Sequence, residues 1–172
     1  KVIWYKTTDT GGIILDHELG ADNNGFRIAT SVLKCEHDFN DGTEEVNVNS
    51  DAEVVDGNWH HIATTFDATT WVTYFDGVQK TSNTDHAGET VDMRNESRVG
   101  ARFASGDSTC QGNYDGVGMW SSALTATEIK ALYDNPALNL NKNSVGYTSS
   151  STLEGWWRMG DGTIDDFNLI GD

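Results

Sequence analysis

Short runs in which apolar and polar residues alternate cover most of the chain. They are rich in Val, Ile, Thr and aromatic residues, and turn-forming segments such as ADNNG, NDG and FDG separate them. A period of two places successive side chains on opposite faces, which is typical of half-buried β-strands. The runs are KVIWYK, GGIILDHEL, GFRIATSVLKCEH, EEVNVNSDAEVV, WHHIATTFD, WVTYFDGVQK, SRVGARF and YDGVGMW. They predict an all-β protein, either an antiparallel sandwich or a barrel.

One short helix interrupts this pattern near the C-terminal side, in SSALTATEIKALYDNP. Thr125 is followed three residues later by Glu128, which is the spacing of a capping box at a helix N-terminus. Pro136 ends the pattern, because proline cannot continue a helix. The apolar stripe of the helix comprises Leu124, Ile129 and Leu132.

The net charge of the chain is −16, from 27 acidic against 11 basic residues. A field of that sign repels nucleic acid and anionic membranes, so we expect neither as a partner. The sequence has no run of about 18 apolar residues, so we expect no insertion into a membrane. The 172 residues are enough for one domain with its own core.

Two adjacent histidines, His60 and His61, lie in the run WHHIATTFD. On a regular strand they point to opposite faces, so they cannot chelate one metal ion side by side. We therefore expect one histidine to be packed or hydrogen-bonded and the other to lie near the surface. The sequence also shows no serine or cysteine at a recognisable spacing from a base, so we expect no catalytic residues.

Four motifs, in order, resemble the laminin G-like, concanavalin A-like lectin/glucanase domain. They are a Trp-His-His strand at 57–67, a hairpin at 74–77, a Gly-to-Trp strand at 112–120 and the start of a helix at 124–129. The resemblance covers residues 1–135 and implies a jelly-roll β-sandwich with one short helix. In that family the Trp-His-His strand is a scaffold strand, in agreement with the argument from its faces.

The two ends of the chain depart from the family pattern. The first strand of the family is missing before Ile3, yet LEGWWRMGDGTIDDFNLIGD at 153–172 resembles it. Residues 136–152 are polar and rich in Ser and Thr, which predicts a linker. Three explanations stay open for 153–172: the start of a next repeat, self-completion of the sheet, or strand exchange with a neighbouring subunit. An incomplete sheet exposes unpaired backbone groups, which favours self-completion or exchange.

The family resemblance also implies a structural Ca²⁺ between the loop of the first strand and the strand before the helix. Asp115 matches the latter, and Asp165 or Asp166 matches the former. Hard oxygen ligands from separated segments suit Ca²⁺. The alternative is that Asp115 caps a turn and the Asp165–Asp166 pair is solvated.

The two cysteines of the chain, Cys35 and Cys110, lie far apart in sequence. One disulfide between them would close a long loop and stabilise the fold by roughly 4 kcal/mol. Two free buried thiols are the alternative, and the sequence does not decide between them.

Recognition of a ligand is the usual work of the family that the chain resembles. Sugar sites need an aromatic platform beside hydrogen-bonding groups, although aromatic residues in strands more often belong to the core. The candidate platforms are Trp4, Tyr5, Trp71 and Tyr74. We expect a non-catalytic module that binds glycans or protein partners, in an extracellular, cell-surface or virion setting. The alternatives are a structural component of a virion or filament and, less favoured, a glycoside hydrolase.

Overall fold

A computed structural model of the protein describes residues 1–17, 25–30, 33–39, 42–49, 55–84, 87–88, 97–101 and 108–159. For 17, 25–27, 33–39 and 42–49 the description covers the backbone alone.

The described residues form eleven strands and one α-helix, with a 3₁₀ turn at Ser150–Thr152. The strands are β1 (Val2–Thr7), β2 (Ile13–His17), β3 (Gly25–Ala29), β4 (Leu33–Phe39), β5 (Gly42–Asn49), β6 (Trp59–Phe66), β7 (Trp71–Phe75), β8 (Val78–Asn83), β9 (Arg98–Val99), β10 (Gly112–Trp120) and β11 (Leu153–Trp157). The helix is α1 (Ala126–Asp134). It is too short to span a membrane, and the described part of the chain contains no helix that is long and apolar enough to do so.

The strands lie in two antiparallel sheets. The six-stranded sheet has the order β11-β10-β1-β6-β7-β8, and the five-stranded sheet has the order β5-β4-β3-β2-β9. Residues from both sheets form one buried cluster, which includes Ile3, Tyr5, Ile14, Ile28 and Ile62. The predicted antiparallel sandwich with one short helix is therefore confirmed.

The other face of the six-stranded sheet is covered by α1 and by the segment that follows it. Alternate residues of the strands, such as Val2, Ala63 and Tyr74, pack there in a second buried cluster with Ile129 and Leu132 of the helix. The period of two thus gives this sheet two apolar faces, one for each cluster.

Residues 136–152 differ from the predicted linker because they pack against the sandwich. Leu140 and Tyr147 are 5% and 0% exposed and belong to the second cluster. The hydroxyl of Tyr147 donates to the Leu140 carbonyl at 3.0 Å and accepts from Trp120 Nε1 at 2.9 Å. Burial of these two large side chains favours the packed position of the segment.

The predicted capping box at the start of α1 is present. The Thr125 hydroxyl accepts from the Glu128 N–H at 3.3 Å, and Glu128 Oε2 accepts from the Thr125 N–H at 2.9 Å. The other oxygen of Glu128 accepts from the N–H and hydroxyl of Thr148 and from the hydroxyl of Ser149. One buried carboxylate therefore joins the helix N-terminus to the segment beyond the helix.

β11 is an edge strand of the six-stranded sheet of its own chain. Val117 of β10 pairs with Trp157, and Gly118 pairs with Trp156, in antiparallel register. Residues 160–172 lie outside the described residues. The start of a next repeat and exchange with a neighbouring subunit stay predictions, as do the proposed domain boundaries.

Candidate functional site

The two histidines of β6 point to opposite faces of the six-stranded sheet, as the alternation predicts. His60 is 8% exposed and His61 is 0% exposed. The expectation that one of them lies near the surface is therefore wrong. His61 packs against Trp4 of β1 and Tyr133 of α1. His60 bonds to Asp56 and Asp76, which lie just outside the strands. Strand periodicity does not contain these contacts.

His60 lies between two carboxylates. Its Nδ1 is 2.9 Å from Asp76 Oδ2, and its Nε2 is 3.1 Å from Asp56 Oδ1. The hydrogen bond with Asp76 raises the pKa of His60, burial opposes this, and the hydrogen bond with Asp56 adds to it. A neutral imidazole has one N–H only, so two carboxylate partners require the charged form. Both nitrogens are thus engaged, which leaves neither free to act as a general base.

Neither ring nitrogen of His61 has a hydrogen-bond partner among the described residues. Its ring lies 5.0 Å from the ring of Trp4 and 6.2 Å from that of Tyr133, between centroids. Burial lowers the pKa of His61 to about 4, so the ring is neutral at physiological pH. A buried polar group without a partner is uncommon in proteins and calls for an explanation.

His61 lines a cleft between the C-terminal end of α1, the segment after it, and the outer face of β1, β10 and β11. The cleft is partly open to solvent, and its internal volume of about 20 Å³ is room for about one water molecule. No charged side chain lines it in the part of the chain that the structure describes. Its walls include Trp4, Trp156, Leu132, Leu138 and Leu140.

The position of Trp4 in this cleft depends on a close approach to Gly116 on the neighbouring strand. Gly116 has a φ of +56°, and a Cβ at this position would lie 3.2 Å from Trp4 Cδ1. On its far side the Trp4 ring stacks on Tyr133 of the helix at 5.7 Å between centroids. The glycine and the helix therefore fix the indole at the wall of the cleft.

Three of the four predicted aromatic platforms lie in the core. Tyr5, Trp71 and Tyr74 are 0%, 2% and 4% exposed. Trp71 Nε1 donates to the Thr64 hydroxyl at 2.9 Å, which satisfies its polar atom inside the sandwich. A ring enclosed by neighbours offers no face to a sugar, so of the four predicted platforms only Trp4 stays a candidate.

Sequence reasoning missed His61 and Trp156 as cleft residues. Trp156 reaches the cleft because β11 pairs with β10, and the ring of Trp156 is partly covered by the guanidinium of Arg158 at 5.2 Å. The adjacent tryptophans of LEGWW are visible in the sequence. The place of Trp156 in the cleft, however, depends on the pairing of β11 with β10.

Of the predicted calcium ligands, Asp115 lies in β10, where its Oδ1 accepts from the Gly116 N–H at 2.6 Å. Asp165 and Asp166 lie outside the described residues. Within the described ranges, no three His, Cys, Asp or Glu side chains converge to hold a metal ion. The calcium site thus stays a prediction.

Cys110 is a free thiol buried in the core, with its Sγ 3.7 Å from the Thr7 hydroxyl. Cys35 lies in β4, where its Cα is opposite Ile28 and Val46, and its side chain lies outside the described residues. Of the two alternatives for the cysteines, the structure shows Cys110 in the unbonded form.

Three solved structures share this fold at low sequence identity. A candidate carbohydrate-binding protein from Bacteroides ovatus matches 94% of this chain at 15% identity, with a TM-score of 0.66, and this chain spans 45% of its length. Domain 4 of an extracellular arabinanase from Geobacillus stearothermophilus, in complex with arabinotriose, matches 77% of this chain at 17% identity, with a TM-score of 0.60 and 64% of its own length covered.

The third is a carbohydrate-binding domain of a Ruminococcus gnavus sialidase bound to α2,6 sialyllactose. It matches 77% of this chain at 16% identity, with a TM-score of 0.58 and 80% of its own length covered. Identities this low establish the fold alone. No curated protein matches this chain in sequence.

A match to the sequence model of a protein family says more about this chain than the structural similarities do. The sequence model of the concanavalin A-like lectin/glucanases superfamily matches residues 2–130, which include every strand from β1 to β10 and the start of α1. The resemblance inferred from the four motifs is thereby confirmed, and the chain belongs to the concanavalin A-like lectin/glucanases superfamily.

Proposed function

We propose that the chain is a non-catalytic carbohydrate-recognition module that acts outside the cell or at a surface. The observation that carries this proposal is the fold shared over 77% of the chain with two domains described in complex with oligosaccharides. The net charge of −16 supports an uncharged ligand over an anionic one, because a field of that sign repels anions.

The arrangement of one pair of described carboxylates, Asp56 and Asp76, supports the non-catalytic part of the proposal. Retaining glycoside hydrolysis needs two carboxyl groups about 5 Å apart with the sugar between them. The carboxylates of Asp56 and Asp76 are held apart by the imidazole of His60, which bonds to both. The space between these two acids is thus filled by a side chain of the protein.

Glycan-array binding with the purified chain tests the proposal, followed by calorimetry on the strongest glycan. We expect binding with a Kd between about 1 μM and 1 mM, and no cleavage of the bound glycan by product analysis. Heat-unfolded protein is the control for adhesion that does not need the fold. Hydrolysis of the glycan would contradict the non-catalytic assignment.

A second candidate function, as a structural component of a virion or filament, is favoured by β11. This strand is at the edge of its sheet, and an edge strand exposes backbone groups that can pair with a neighbour. Light scattering of the same sample separates the two functions. Ordered multimers together with a blank glycan array would support assembly and contradict recognition.

A further inference from the structure

His60 joins two turns at one end of the six-stranded sheet. Asp76 lies in the turn between β7 and β8, and Asp56 lies in the turn 55–58 that precedes β6. Nδ1 of the imidazole is 2.9 Å from an oxygen of Asp76, and Nε2 is 3.1 Å from an oxygen of Asp56. The charge of one imidazole is therefore shared between two surface turns.

The other described side chains packed on His60 are two aromatic rings. Tyr5 of β1 lies 5.9 Å away and Phe75 of β7 lies 5.0 Å away, between ring centroids. Tyr5 is the titratable one of the two, and its neutral phenol adds no charge beside the imidazole. Within the described part of the chain, the two carboxylates thus dominate the electrostatics of His60.

Loss of the His60 proton leaves only one of the two hydrogen bonds. A neutral imidazole has one N–H, and its other nitrogen carries a lone pair. That lone pair would face a carboxylate oxygen, which also accepts and cannot donate, so the two atoms repel each other. One of the two acids must therefore move away from the imidazole as the pH rises.

The bonds of Asp76 favour it as the acid that keeps its contact. Its distance to the imidazole is the shorter one, and its hydrogen bond is the largest cause of the raised pKa of His60. Its other oxygen accepts from the His61 N–H at 2.8 Å, which fixes the carboxylate to β6. The remaining proton is then on Nδ1, and Nε2 faces Asp56 without a hydrogen.

The oxygen of Asp56 that faces His60 also closes the turn 55–58. This Oδ1 accepts from the Asn58 N–H at 2.7 Å, in addition to its contact with the imidazole. Movement of this oxygen away from Nε2 therefore disturbs a bond inside the turn as well. Trp59 follows the turn directly and is 46% exposed, so the turn ends in an exposed indole.

We propose that His60 is a pH-sensitive switch of the turn 55–58: loss of its proton releases Asp56, keeps Asp76 bonded, and changes the position of the exposed Trp59. The two acids have different roles in this switch. Asp76 holds the imidazole in the sheet, and Asp56 responds to its charge. The switch goes beyond the proposed function, because it operates whether or not the chain binds a glycan.

NMR titration of the full chain, from about pH 6 upward through the loss of the His60 proton, tests the switch. The signals followed are the ring nitrogens of His60, the backbone N–H of Asn58 and the indole N–H of Trp59, which is assigned by its absence from Trp59→Phe. We expect all three to change with one midpoint above about pH 6.5. The ring nitrogens of the neutral form should show the hydrogen on Nδ1.

Asp56→Asn is the variant that tests the role of the carboxylate. The amide oxygen can still accept from the Asn58 N–H, so the turn and the fold are expected to persist. The amide N–H can donate to the unprotonated Nε2, so nothing is released when His60 loses its proton. The N–H of Asn58 and the indole of Trp59 should then lose their response, and the midpoint of His60 should move to lower pH.

Asp67→Asn is the matched control. Oδ1 of Asp67 closes a similar exposed turn by accepting from the N–H groups of Thr69 and Thr70. No histidine is among its hydrogen-bond partners in the residues that the structure describes. This variant should leave the titration of His60 and the response of Trp59 unchanged.

Each outcome decides for or against the switch. Responses of Asn58 and Trp59 that follow His60 and disappear in Asp56→Asn support it. A neutral His60 with its hydrogen on Nε2 would show that Asp76 is released instead, which overturns it. A turn that stays unchanged while His60 loses its proton overturns it as well, and so does an unchanged response in Asp56→Asn.

Discussion

At the scale of single residues, the two adjacent histidines of β6 are held in opposite protonation states. His60 bonds to carboxylates through both nitrogens. His61 is buried against Trp4 and Tyr133, and no group in the described part of the chain bonds to its ring nitrogens. The cause is the face of the sheet to which each points. A pair of identical residues thus carries two different electrostatic roles, set by neighbours that come from other elements.

The pH dependence of stability should show both roles in separate windows. The pKa of His60 is raised when folded, so its contribution is complete below the unfolded value of about 6.5 and is lost as pH rises through the folded pKa. The pKa of His61 is lowered to about 4, so its contribution is present above pH 6.5 and is lost as pH falls to 4, at a cost of about 3 kcal/mol.

Urea unfolding at a series of pH values, with NMR titration of both imidazoles, measures this prediction. The histidines alone place the maximum of the unfolding free energy near pH 6.5, between the two windows. The unfolding free energy of the wild type should fall between about pH 6.5 and about pH 4, partly because of His61 and partly because of the carboxylates. His61→Phe should remove the part that comes from His61. An ordinary titration of His61 near pH 6.5 in the folded protein would refute the assignment.

At the scale of elements, α1 and the segment after it act as one layer over the six-stranded sheet. Glu128 bonds to Thr125 at the helix start and to Thr148 and Ser149 beyond the helix. Tyr147 of this layer is fully buried in the cluster that the layer forms with the sheet. The position of the layer, in turn, forms the cleft at its edge, so the attachments of the layer matter for the site.

Replacing Glu128 by Gln should destabilise the protein by about 2–3 kcal/mol, because hydrogen bonds to a buried charge are lost or weakened. Burial raises the pKa of Glu128, but the hydrogen bonds from Ser149, Thr125 and Thr148 outweigh it and lower the pKa to about 2. Its stabilisation is therefore present above the unfolded value of about 4.5 and is lost as pH falls toward 2.

Chemical denaturation of Glu128→Gln at pH 7 and pH 3 checks this prediction. Glu154→Gln is the matched control, since Glu154 is an exposed glutamate on β11. The control should change the unfolding free energy by less than about 0.5 kcal/mol. Equal effects of the two substitutions would show that the buried carboxylate does not attach the layer.

Replacing Tyr147 by Phe tests whether residues 136–152 belong to the folded unit. Loss of the hydroxyl leaves Trp120 Nε1 without its acceptor in the core, which should cost about 1–3 kcal/mol. Thermal unfolding measures the effect, with Val145→Ala as the control, because Val145 is 96% exposed in the same segment. A linker that does not pack would show no difference between the two variants.

At the scale of the whole molecule, two sheets and a helical layer bring together residues from distant parts of the sequence. The core between the sheets joins Ile3, Ile28 and Ile62, and β11 returns the chain to the edge beside β10. The predicted Ca²⁺ belongs to this scale, since its ligands would come from β10 and from residues after β11.

We expect Ca²⁺ at 100 times its Kd to stabilise the folded chain by about 2.7 kcal/mol, and thus to raise Tm by several degrees. Differential scanning calorimetry with Ca²⁺, and with EDTA as the metal-free reference, measures the shift. Asp115→Asn should abolish it, whereas Asp134→Asn, at the exposed end of α1, should not. A Tm that Ca²⁺ leaves unchanged would disprove the predicted site.

The sequence by itself determined the strand pattern, the two faces of β6 and the capping box of α1, because these depend on neighbours within a few residues. It did not separate every strand, since the runs GFRIATSVLKCEH and WVTYFDGVQK each contain residues of two strands in the structure. Strand periodicity alone places His60 and His61 on opposite faces. The motif order likewise identified the family, since spacing along the chain is a local property.

Only the tertiary structure decided which aromatic rings are buried in the core and which line the cleft. Trp4 and Tyr5 are adjacent in the sequence and both aromatic, yet one lines a cleft and the other is 0% exposed in the core. The second apolar face of the six-stranded sheet is covered by a segment whose polar composition predicts a linker. Burial depends on what packs from far along the chain, and such contacts leave no periodic signal in the sequence.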